Sequence, residues 1–147
     1  MESSKYLFPG PEWSQAYCRA LTESEEYRSA GRNWRHGTVM LVVRELPSTI
    51  REKYGADSIG MLLDLHEGVC RGVEWRRNPD PGIANYTISG TYKTWLEIIR
   101  GRLHPTTALM TRKLRLERGD IGTILKFARA SIAMVNVAKT VPTEFPE

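Results

Sequence analysis

Cysteine and histidine are scarce in this chain, with two and three residues among 147, and neither type falls into a metal-binding spacing. Cys18 and Cys70 stand outside any Cys-x-x-Cys pattern. That argues against a thiolate zinc site and a disulfide-rich framework, and it leaves reduced thiols as the expectation, with a single disulfide as the alternative. The 12 glycines form neither a Gly-x-Gly-x-x-Gly nor a P-loop arrangement, so nucleotide binding has no support. Long apolar runs are missing too. The first twenty residues carry Glu2, Lys5, Pro9, Pro11 and Glu12, which reads as neither a signal peptide nor a membrane span, and a cytoplasmic location is expected.

Catalytic sets are equally thin. Asp64 and His66 are two apart on an expected strand and so share a face, but no third ligand or nucleophile lies near them in sequence, and an exposed polar pair is expected. His36 and His104 suit loop or capping roles. Glu23, Glu25 and Glu26 cluster on a helix that should face water, where a paired-carboxylate mechanism would need them buried. The expectation is a protein that is not an enzyme and holds no cofactor and no metal.

The net charge of +4 comes from 21 Lys and Arg against 17 Asp and Glu. The basic residues fall into the small groups Arg71/Arg76/Arg77, Arg100/Arg102 and Arg112/Lys113/Arg115/Arg118. None is interleaved with aromatics that would stack bases, so no nucleic-acid partner is expected. Attraction to an anionic membrane or an acidic lipid head suits the same charges.

Hydrophobic periodicity supplies the elements. Residues 1–10 read as a tail, and Pro9-Gly10-Pro11 leads into a helix from Glu12 to about Arg28 with Trp13, Ala16, Tyr17, Ala20 and Leu21 on one stripe. Thr22 with Glu25 is expected to cap a second helical piece, and Gly31 to end it. Thr38–Leu46 is a strand stopped by Pro47, and residues 48–57 form a short helix or loop. Ile59, Met61, Leu63 and Leu65 alternate with less apolar neighbours in the period-2 pattern of a half-buried strand. Glu67-Gly68 is a hairpin turn, Val69–Arg77 returns with Val73 and Trp75 pointing inward, and Ile83–Ser89 adds a strand through Tyr86 and Ile88. Strands followed by helices and one further strand indicate an α+β fold: a mainly antiparallel five-stranded sheet with helices packed on one face. One domain over residues 11–140 is expected, with residues 141–147 as a C-terminal tail.

The stretch from Trp95 to Asp120 is more specific. Trp95, Leu96, Ile98 and Ile99 follow a helical period and Gly101 sits at the left-handed C-cap position. Pro105 opens a short helix with Ala108, Leu109 and Met110. Lys113–Glu117 then alternates as a strand, and Gly119-Asp120 turns into an Asp-capped helix with Ile121, Ile124, Leu125, Ala128, Ile132 and Val135 on one face. This order of elements resembles the C-terminal half of the sterol carrier protein domain. Trp95, Gly101, Ala108, Lys113-Leu114 and Gly119-Asp120 match the family pattern, and the resemblance extends over roughly residues 34–135. Arg112 departs from it, standing where the family commonly has glycine.

The resemblance implies an apolar tunnel holding a lipid, such as a fatty acyl chain, an acyl-CoA or a sterol-like molecule, with no chemistry of its own. Residues carried over to its wall are Trp95, Ile98, Ile99, Leu109, Met110, Leu114 and Leu116, with Ile124, Leu125 and Ala128 closing it. The strand pattern adds Met61, Leu63, Leu65, Val73, Trp75, Tyr86 and Ile88 as the sheet wall. Arg100, Arg102 and Arg112 are candidates for a lipid head group or a transient contact with anionic membrane. The alternative is a non-catalytic module that forms a homodimer or presents substrate to a separate lipid-metabolising enzyme.

Overall fold

The computed structural model describes residues 5–146. Strand β1 (Tyr6–Leu7) leads into helix α1 (Pro11–Glu23), where Pro11 occupies the first helical turn and its fixed φ suits that position. Trp13, Tyr17, Cys18 and Leu21 form the buried stripe of α1. Helix α2 (Glu25–Ala30) restarts after Ser24, whose hydroxyl accepts from the Tyr27 backbone N–H. The cap is therefore Ser24 and not Thr22. The Thr22 hydroxyl instead accepts from the Cys70 N–H at 2.9 Å and donates to the Cys70 carbonyl at 3.2 Å.

The main sheet contains β2 (Val39–Arg44), β3 (Ile59–His66), β4 (Val69–Arg77), β5 (Tyr86–Thr91) and β6 (Leu114–Arg118) in the order β4-β3-β2-β5-β6. The β2/β5 pair is parallel and the other three pairs are antiparallel. Glu67 and Gly68 both have positive φ at the β3/β4 turn, the geometry that matches the twist of two antiparallel strands. Between β2 and β3 lies α3 (Ser48–Tyr54), which ends on the left-handed Gly55.

Helix α4 (Tyr92–Ile99) ends in a Schellman motif: Gly101 at φ +79°, with the Arg102 N–H on the Glu97 carbonyl and the Gly101 N–H on Ile98. Helix α5 (Pro105–Met110) is capped by His104, whose Nδ1 accepts from the Thr106 N–H. Arg112 follows at φ +64°. The chain thus turns left-handed here on an arginine. Since an L side chain there costs roughly 1–2 kcal/mol and glycine adds freedom to the unfolded chain, Arg112→Gly should gain about 0.5–1 kcal/mol net. A higher urea midpoint checks this, and a lower one would show that the arginine side chain holds the turn.

After β6, Asp120 caps α6 (Ile121–Lys126) by accepting from the Thr123 N–H and hydroxyl, both at 2.9 Å, which holds its carboxyl below the ordinary value. The single terminal helix expected from periodicity is interrupted at Phe127. Helix α7 (Ala128–Thr140) starts afresh, and its buried face is Ala130, Ala133, Val137 and Ala138. Ile121 and Leu125 are consequently exposed, at 43% and 37%. Neither Gly nor Pro marks this break.

Two further expectations give way to the structure. Cys18 and Cys70 are joined in a disulfide that ties α1 to β4, so the thiols are not free. The spacing argument weighed only local motifs, and these cysteines are 52 residues apart. Residues 5–10 and 141–146, expected to lie in tails, pack onto the domain: β1 pairs in parallel with β7 (Thr143–Glu144), and Phe8 is 1% exposed.

Helices α1, α2, α4, α5 and α6 all contact α7, and this layer covers the sheet face carrying Val39, Val43, Met61 and Leu63. On the other face, Met40 and Val42 pack with Ala84 and Leu62. Among the described residues no helix is long and apolar enough to cross a membrane.

Candidate functional site

Between the sheet and the helix layer lies an apolar cavity of about 110 Å³. Its floor is Val39 and Leu41 from β2, Met61 and Leu65 from β3, Ile88 from β5 and Leu114 from β6. Trp13 and Tyr17 of α1 and Tyr27 of α2 form one side, with Phe8 and Trp34. The opposite side is Trp95, Ile98 and Ile99 of α4 with Pro105 and Leu109 of α5. Ile124, Phe127 and the α7 residues Ala130, Ser131, Met134, Val135 and Ala138 form the roof. No charged side chain lies on this wall.

Most polar atoms of the wall are bonded within the protein. Trp13 Nε1 donates to Thr143 Oγ1 at 2.8 Å, Trp34 Nε1 to the Gly37 carbonyl at 2.9 Å and Trp95 Nε1 to the Val42 carbonyl at 2.9 Å. The Tyr17 hydroxyl donates to the Met134 carbonyl at 3.0 Å, and burial, reinforced by the neighbouring Tyr27, drives its pKa well above the ordinary tyrosine range. The Ser131 hydroxyl turns back to the Phe127 carbonyl of its own helix segment. Indole and phenol rings thus present carbon to the cavity while their polar ends are occupied elsewhere.

Aromatic packing closes the end near Phe127. Its ring meets Trp34 at 5.0 Å between centroids and His36 at 5.6 Å, and Trp34 in turn meets Tyr86 at 5.2 Å. Phe127 stands at the α6/α7 junction, so backbone change there moves a wall residue directly.

Of the residues singled out from the sequence, Met61, Leu65, Ile88, Trp95, Ile98, Ile99, Leu109, Leu114 and Ile124 line the cavity together. Leu63 is fully buried and Tyr86 is 8% exposed, both in the core but off the wall. Val73, Trp75 and Leu116 pack half-buried against the core, with Trp75 Nε1 donating to the Pro9 carbonyl. Met110 is 65% exposed, Leu125 faces out, and Ala128 begins α7 without reaching the wall. Arg100, Arg102 and Arg112 are exposed and none lies on the wall; Arg100 sits over the Phe145 ring.

The wall residues that the sequence left unassigned come mainly from α1, α2 and α7. Trp13 and Tyr17 were visible as a helical stripe, but a stripe facing a core and one facing a cavity have the same period. Asp64 and His66 make only surface contacts: Asp64 pairs with Arg71 at 3.0 Å, and His66 lies 3.7 Å from Glu67. Glu67 is held below its ordinary pKa, first by the hydrogen bond from Arg35. No group of three or more metal-ligating side chains occurs among the described residues.

Residues 19–131 match the model of the SCP-2 sterol transfer family. A crystal structure of sterol carrier protein 2 is 37% identical, with 88% of this chain and 95% of that one covered and a TM-score of 0.77. The solution structure of a conserved hypothetical protein from Thermus thermophilus is also 37% identical, covering 97% and 94% with a TM-score of 0.79. The apo form of sterol carrier protein 2 from Yarrowia lipolytica shares the fold at 12% identity, covering 88% of each chain with a TM-score of 0.54. No match was found among curated proteins. The chain belongs to the SCP-2 sterol transfer family.

Proposed function

We propose that this protein is a lipid carrier that holds one fatty acyl or similarly elongated molecule in the cavity under α7 and releases it unaltered. The observation that carries this reading is a wall without charge whose indole N–H groups are all bonded internally. Such a wall favours hydrocarbon: each CH₂ buried contributes about 0.8 kcal/mol, so a sixteen-carbon chain gains on the order of 12 kcal/mol before the entropy of binding is subtracted.

The cavity is smaller than its proposed occupant. Benzene occupies a cavity of about 150 Å³, against the 110 Å³ here, so a long chain must push the wall outward. The adaptable parts are Met134, an unbranched side chain on the roof, and Phe127 at the helix junction. Arg102 and Arg112, exposed beside α5, are placed to draw an anionic head or membrane surface toward the wall formed by Ile99 and Leu109.

Native mass spectrometry of gently prepared protein tests the carrier reading, with a reproducible added mass of a few hundred daltons as the expected result. Protein that stays empty after incubation with lipid vesicles, monomeric or dimeric, would overturn it. A cavity-filling variant gives the matching prediction. Ser131→Trp adds an indole on the half-buried roof, so affinity for a fluorescent fatty acid should fall at least tenfold while melting temperature changes by only a few degrees. Unchanged affinity in the folded variant would place the ligand elsewhere.

A further inference from the structure

One polar atom of the wall has no protein partner. Tyr27 is 1% exposed and lines the cavity, yet its hydroxyl makes no hydrogen bond within the described residues. Among the described residues, the side-chain polar atoms that are fully inaccessible and lack a partner are Arg44 Nε and Ser89 Oγ. The Tyr27 hydroxyl is not one of these, so it keeps accessible surface of its own, on a residue that is otherwise buried and lines the cavity. Its position is built by Gly31, which is buried beneath the ring: a Cβ on Gly31 would lie 3.1 Å from Tyr27 Cζ, the carbon bearing the hydroxyl. A larger residue at 31 would push the hydroxyl end aside.

We infer that the Tyr27 hydroxyl is the polar anchor of the cavity, and that it receives the uncharged oxygen of a lipid, a hydroxyl or a carbonyl, in preference to a carboxylate. This rests on the carrier reading. An unpaired hydroxyl in apolar surroundings is unfavourable, and an alcohol or carbonyl oxygen satisfies it without bringing a charge inside. A carboxylate at the same point would be buried with no cation on the wall. The charged residues of α2, Glu25, Glu26 and Arg28, are exposed and predominantly acidic. Burial pushes the phenol up to about 12, so it remains a donor throughout the physiological range. An anionic lipid would instead keep its head at the protein surface, with only its tail inside.

Titrations with 1-dodecanol, dodecanoate and dodecane, on the unaltered protein and on Tyr27→Phe, test the assignment. Removing one neutral hydrogen bond should weaken dodecanol binding about three- to tenfold while leaving dodecane and dodecanoate unchanged. Melting temperature serves as the control for folding. Dodecanol affinity equal in the two proteins, or an equal loss for dodecanol and dodecane, overturns the anchor, since either shows that the hydroxyl is not used. If the unaltered protein binds none of the three, the carrier reading itself fails, which is distinct from losing the anchor alone.

Discussion

Replacing both Cys18 and Cys70 with serine should lower the stability of the protein by about 4 kcal/mol, the chain-entropy value for a loop of this size. The bond closes a separation of 52 residues, so most of its effect lies in restricting the unfolded chain. That loss is a large share of the roughly 5–15 kcal/mol of a typical domain, and it should appear as a fall of roughly 10 °C in melting temperature. A thiol-reactive dye on the denatured, unreduced protein should find no free thiol, and two after reduction. Two free thiols before reduction, or equal melting of the double variant and the parent, would contradict the cross-link. Binding should weaken as well, because Tyr17 precedes Cys18 on α1 and both Trp13 and Tyr17 stand in the cavity wall.

How much of this was legible beforehand depended on whether the determining contact was local. Strands β3 and β4 and their hairpin were readable because alternation and a Glu-Gly turn lie within one short stretch. The α4 stop at Gly101, the α5 start at Pro105 and the Asp120 cap were readable for the same reason, since each depends on hydrogen bonds between residues two to five apart. The parallel pairing of β2 with β5 was not, because Val39 meets Tyr86 only through the intervening hairpin. Nor was the Cys18–Cys70 bond. Phe127 breaks the terminal helix with an ordinary residue, so the apolar stripe drawn through Ile121, Leu125 and Ala128 crossed a boundary that periodicity could not detect. Nine of the proposed wall residues meet around one cavity, but α1 and α2 supply the tyrosines and Trp13. Their role follows from tertiary placement, which a helical period does not encode.

Gly119→Ala should be the most damaging small substitution near the cavity. Gly119 has φ +108°, and a Cβ built there would lie 2.2 Å from Cδ2 and 2.7 Å from Cε2 of Tyr86. Tyr86 is 8% exposed and cannot swing freely, since Trp34 lies against it at 5.2 Å and Phe127 against Trp34 at 5.0 Å. Backbone strain and overpacking together should cost roughly 2–4 kcal/mol, read from urea unfolding. The two causes separate in a double-mutant cycle. In a Tyr86→Ala background the clash is gone and only the strain remains, so Gly119→Ala should then cost about 1 kcal/mol, leaving a coupling of roughly 1–3 kcal/mol. Equal costs in both backgrounds would show that Tyr86 moves aside easily and that backbone conformation alone demands the glycine. If the ring is wedged as the geometry indicates, the displacement passes through Trp34 to Phe127, two residues of the cavity wall. Gly119→Ala should then weaken fatty-acid binding more than a distant substitution of equal destabilisation, even where the protein remains folded.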